Sequence, residues 1–142
     1  ASIDAKAPVA LKRGGSNRVV SMAWHPDGHH LAVAYGDRAI VIWDLSGGGQ
    51  ASELPATHGD DIKGIAYALG GRMLISGDLL GVVLAHRPGS TEAPCVLQKL
   101  PEQSGVMSLA VRPDGGALAV GTLLGEVVQW NIPDLVARAR CK

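Results

Sequence analysis

Apolar positions fall into short runs separated by turn formers. Runs rich in small, β-branched and aromatic residues occupy 19–24, 31–35 and 39–43, then 62–67, 73–77 and 82–86, then 106–111, 117–121 and 126–130. A weaker run precedes each trio, at 8–12, 51–55 and 95–99. Pro26-Asp27-Gly28 and Pro113-Asp114-Gly115 separate the first and second runs of their trios. There proline fixes φ and glycine accepts positive φ, and Leu69-Gly70-Gly71 does the same with glycines. Such runs predict strands. They alternate poorly between apolar and polar, as expected of strands covered on both faces.

The trios are copies of one unit. At an offset of 87, Ser21, Ala23 and Pro26-Asp27-Gly28 fall on Ser108, Ala110 and Pro113-Asp114-Gly115, and Val41 and Trp43 fall on Val128 and Trp130. At an offset of 43, Met22, Trp24, Gly28 and Leu31 fall on Ile65, Tyr67, Gly71 and Leu74. The chain therefore holds three units of about 43 residues, near 8–49, 50–93 and 94–132, with 133–142 as a tail that could be a strand, a short helix or a linker. That period belongs to four-stranded propeller blades.

These features resemble the WD-repeat β-propeller family. Trp43-Asp44 is the family's pair intact, Trp130-Asn131 is a near copy, and His86-Arg87 has lost it. Thr57-His58 approximates the family's Gly-His, Ser76 keeps its second-strand serine, and Asp37 is the one turn aspartate identified. No unit carries the whole His–Ser–Asp–Trp set. The resemblance implies an all-β fold of three blades, each of four antiparallel strands. Because complete propellers have four to eight blades, the expectation is a partial propeller: either a piece of a longer one, or one completed by self-association.

Composition narrows the function. The formal net charge is zero, so no overall field favours nucleic acid or an anionic membrane, and neither is expected as a partner. Charged residues make up 18% and hydrophobic ones 46%, which leaves surface to be covered. No secretory leader or membrane span is expected. Cys95 and Cys141 read as isolated, in a reduced intracellular setting, cytoplasmic or nuclear.

Candidate chemistry is sparse. His25, His29 and His30 surround one turn and read as solvated rather than metal-binding. Ser21 and Ser108 are repeat equivalents, and no catalytic constellation, cofactor site or metal site is expected. The basic groups Lys12, Arg13, Arg18 and Arg138, Arg140, Lys142 read as solvated edges. Trp24, Tyr67, Trp43 and Trp130 fall in repeat columns and read as core, while Tyr35 is expected in an exposed turn.

The unusual feature is Leu79-Leu80 and Leu123-Leu124, set in the same turn of two successive units. Exposed together, they would mark a binding surface. Arg18, Asp60, Asp61, Tyr35 and Arg38 would form its polar rim; the alternative is that the leucines tuck between blades. The leading expectation is a non-catalytic interaction scaffold holding a protein or peptide partner. The second is a sensor or regulatory module of a larger multidomain protein, binding a small ligand or peptide.

Overall fold

The computed structural model describes residues 10–14, 17–55, 58–101 and 103–141. Their strands form three antiparallel sheets. The first holds β1 (Val19–Trp24), β2 (His30–Tyr35), β3 (Ile40–Asp44) and β4 (Gln50–Glu53), in that order. The second holds β5 (Ile62–Ala68), β6 (Met73–Asp78), β7 (Val82–His86) and β8 (Cys95–Lys99). The third holds β9 (Val106–Val111), β10 (Ala117–Thr122) and β11 (Val127–Asn131), followed by α1 (Ile132–Ala139). A register shift recurs at the start of every first strand, at Val19/Ser21, at Ile62/Gly64 and opposite Gly121/Thr122. The three sheets are blades of one design.

The third blade departs from the expected four strands. The runs at 51–55 and 95–99 supply the outer strands of the first and second blades, pairing with β3 and β7. Of the run at 8–12, residues 8 and 9 lie outside the described residues and 10–12 form no strand. After β11 the chain turns helical instead. Pro133 lacks the N–H a strand ladder needs but suits the first helical turn. Asn131 caps that turn by accepting the Asp134 N–H at 3.0 Å. Ile132 and Leu135 are fully buried against the core shared by the second and third blades, so α1 packs beside β8 and β11.

Each blade has a bulky face and a small-residue face. Ile65, Tyr67 and Leu74 on the second blade press onto Ala32, Ala34, Ile40 and Ile42 of the first. Val106, Leu118 and Val120 on the third press onto Ile75, Val83 and Ala85 of the second. The fit is tight: a Cβ on Gly77 would stand 2.7 Å from the Val106 side chain. β1 lies beside β5 and β5 beside β9, giving an open row in which only the middle blade is covered on both faces.

The bulky face of the first blade is an end of this row, which corrects the reading of Trp24. Trp24 shares a repeat column with buried Tyr67, but no blade precedes it among the described residues, and it is 49% exposed beside exposed Met22. Trp43 lies further out on that face and is 6% exposed, because Leu11 and Leu45 fold over the cluster of Val33, Tyr35, Val41 and Trp43. Trp43→Ala should therefore destabilise the chain by about 3–5 kcal/mol in chemical denaturation. Trp24→Ala should cost about 1 kcal/mol or less. Equal losses would contradict this placement.

Candidate partner-binding rim

The turns between the second and third strands of every blade lie along one rim, and hydrogen bonds tie each to the segment entering its own blade. Gly36 N–H donates to the Arg18 carbonyl at 2.8 Å, Leu79 N–H to the Asp61 carbonyl at 3.0 Å, and Leu123 N–H to the Gly105 carbonyl at 2.8 Å. Neighbouring blades are stitched as well. Arg38 Nε stands 3.9 Å from Asp61 Oδ1, and any side chain at Gly105 would collide with the Leu79 carbonyl. Arg38, Asp61, Leu79, Gly105 and Leu123 thus follow one another along a continuous edge.

On that edge Leu80, Leu123 and Leu124 are 44%, 58% and 60% exposed, while Leu79 is half-buried. Arg18 and Arg38 are exposed, and Asp60 and Asp61 are partly so. The turn itself demands a left-handed residue. Gly81 and Gly125 provide it at φ 89° and 84°, and Arg38 adopts it at φ 72° in the first blade.

Tyr35 does not belong to this rim. It ends β2 and is buried, because its hydroxyl accepts the Trp43 Nε1–H at 3.3 Å and the Arg13 guanidinium lies 4.9 Å over its ring. Arg13 also pairs with Asp37 at 2.8 Å, so it is not a free edge cation.

Beneath the second blade's leucine turn lies a buried polar relay that the sequence reading missed. The Asp78 carboxylate accepts the Leu80 and Val82 N–H groups at 2.9 and 3.1 Å, which fixes the turn, and accepts His58 Nδ1–H at 2.8 Å. Neutral His58 then offers its Nε2 lone pair to the Ser76 hydroxyl at 2.6 Å, and that oxygen accepts His86 Nε2–H at 2.6 Å. All four residues are buried. Asp78 is therefore a turn aspartate, and His86 substitutes for the tryptophan of the other two blades: the second blade keeps the four-residue set with one exchange. Burial pushes the His58 imidazole below its usual range, against the pull of Asp78. Burial, with His58 beside it, pushes His86 down to about 4. His86 Nδ1 has no partner among the described residues.

Two further readings change. His25 is not simply solvated: its ring stands edge-on to Tyr67 with centroids 4.9 Å apart and rests on Gly71 of the second blade. His29 and His30 fold back onto Asp27, whose carboxyl sits at about 2; burial opposes its ionisation, and the His29 N–H and the His30 ring overcome that. Cys95 and Cys141 are not isolated. They are bonded to each other with Cα atoms 5.7 Å apart, closing α1 onto β8.

A blade row with this turn chemistry defines a WD-repeat chain, and comparison with known proteins agrees: the chain belongs with the WD-repeat proteins. Residues 8–69 match the family model of the anaphase-promoting complex subunit 4 WD40 domain. The chain is 27% identical over 126 residues to the target of rapamycin complex subunit wat1 of Schizosaccharomyces pombe, covering 88% of this chain and 39% of that protein. It is 26% identical over 140 residues to a WD repeat-containing protein 26 homolog of Arabidopsis thaliana, covering 96% and 23%. Over 95 residues it is 30% identical to a periodic tryptophan protein 2 homolog of Schizosaccharomyces pombe, covering 67% and 11%. The chain thus spans well under half the length of each relative. No described helix is long and apolar enough to cross a membrane.

The relay sets a pH dependence. Both imidazoles are neutral when folded, and their folded pKa values lie below the ordinary 6.5. Acid therefore protonates the unfolded chain first. The relay's contribution is complete above about pH 6.5 and drains away as pH falls toward 4. The melting temperature should drop across that window, and His86→Trp, which removes one titrating ring, should flatten the drop. A wild-type melting temperature constant from pH 6.5 to 4.5 would contradict the neutral relay.

Proposed function

We propose that the chain is a non-catalytic scaffold that presents its leucine rim to a protein or peptide partner. One observation carries the reading: Leu80, Leu123 and Leu124 stand exposed on adjacent turns whose backbones are pinned from below. Fully burying a leucine is worth roughly 1.5–3 kcal/mol. Three on a preorganised edge supply an apolar centre, and Arg18, Arg38, Asp60 and Asp61 supply a polar border that sets orientation. The N–H groups of Leu79, Leu80, Gly81, Leu123 and Gly125 are already bonded, so covering the ridge strands few donors. The relatives lend support, since one is named as a complex subunit.

The same reading makes the chain part of a longer propeller or of a self-associated one, with approximate units at 8–49, 50–93 and 94–132. The Cys95–Cys141 bond weighs against a strongly reducing setting.

The test is a triple substitution, Leu80, Leu123 and Leu124 to Ser, measured for melting temperature and for affinity toward a partner captured with the wild-type chain and then purified. The expected result is an unchanged melting temperature and binding weakened at least about a hundredfold, near 2.8 kcal/mol. Unchanged affinity, or a collapse in stability, would contradict it.

A further inference from the structure

At the end of the second blade opposite the leucine turn, a cavity of about 420 Å³ opens between the blade and the residues that follow α1. Three arginines line it. Arg72 precedes β6, Arg87 follows β7, and Arg140 follows α1. Among the described residues, their one acidic companion on the wall is Glu92. Of the five arginines elsewhere in the chain, three are paired with carboxylates: Arg13 with Asp37, Arg38 with Asp61, and Arg112 with Asp114. Among the described residues, none of the three cavity arginines has such a pair. On a chain of zero net charge, three cations and one anion leave this wall near +2.

The cavity is held in shape by its surroundings. Arg72 Nε donates to the Leu69 carbonyl at 3.0 Å, which anchors that side chain at the turn. Arg140 sits where helices usually place glycine: φ is 56° and ψ 34°, and the Arg140 and Cys141 N–H groups close the last helical turn on Ala137 and Val136. A non-glycine residue in that region costs about 1 kcal/mol or more. Here the strained position sets Arg140 on the cavity wall, and the bond from Cys141 to Cys95 ties the next residue to β8.

We propose that this cavity is a binding site for a phosphate monoester. Such a group carries close to two negative charges at neutral pH and three acceptor oxygens, which matches the net charge of the wall and the fork geometry of arginine. The volume falls within the usual range of ligand sites and leaves room for the atoms that carry the phosphate. Phosphorylated side chains and free phosphorylated metabolites share this chemistry. The site lies across the blade from the leucine rim, so it is independent of the partner surface.

The experiment is calorimetric titration of the whole oxidised chain, in low-salt buffer free of phosphate, with O-phosphoserine and with a short phosphoserine peptide. Matched serine compounds serve as controls. Arg140→Gly is the key variant, because glycine suits the left-handed position and spares the fold. Arg87→Ala is the second, at an exposed position after β7. Saturable binding of a phosphorylated probe, absent with its serine control and weakened at least about tenfold by each variant, is the expected result. Preference for the peptide assigns a phosphorylated segment as the source, and preference for the amino acid assigns a metabolite. No saturable binding of either probe, or equal affinity in wild type and both variants at unchanged melting temperature, would overturn the proposal.

Discussion

Everything else in this molecule depends on the seating of one blade's bulky face in the small-residue face of the blade before it. Ile65, Tyr67 and Leu74 would each gain roughly 1.5–3 kcal/mol from burial, but only because Ala32 and Ala34 leave room for them. Gly77 repeats the device one blade later against Val106. A single blade cannot bury both its faces, so the middle blade alone is complete, and the ends keep whatever cover they can find. Leu11 and Leu45 fold over the outer part of the first face, and Trp24 and Met22 at its inner part stay in solvent.

The middle blade is also where the chain concentrates its buried polarity. A carboxylate as deep as Asp78 would be costly without partners, and it has three donors: two turn N–H groups and His58. The same bonds that satisfy it set the Leu79–Leu80 turn. Packing, relay and exposed ridge thus form one mechanical sequence, from the blade interior to the rim. The first blade reaches a comparable end differently, with Tyr35 and Trp43 bonded to each other and Arg13 laid across the tyrosine ring.

Much of this was legible in the amino-acid sequence because repeats report on packing. Three trios in register imply three blades, and the runs of the trios fall where the strands do. What escaped was long-range or came from breaks in the repeat. Trp24 occupies an interior column but lies on the terminal face, and a column says nothing about whether a neighbour is present. Asp78 was hidden because the two leucines after it replace the polar residues expected in that turn, although Thr57-His58 and Ser76 already marked its blade. Tyr35 closes its run, and strand ends are the least certain part of a run. Residues 133–142 read equally as a strand, a short helix or a linker, although Asn131 and Pro133 together form a helix start at Ile132–Ala139. Cys95 and Cys141 are 46 residues apart, and no local pattern could have joined them or placed Arg140 on the same cavity wall.

The central claim is that the middle blade, covered on both faces, holds the row together. Amide hydrogen exchange measured strand by strand tests it most directly. β6 and β7 should exchange slowest and approach the global opening free energy, while β4 and β11, exposed at the outer edge of the first blade and on the third, should exchange orders of magnitude faster. Protection of β6 no greater than that of β4 and β11 would contradict the account.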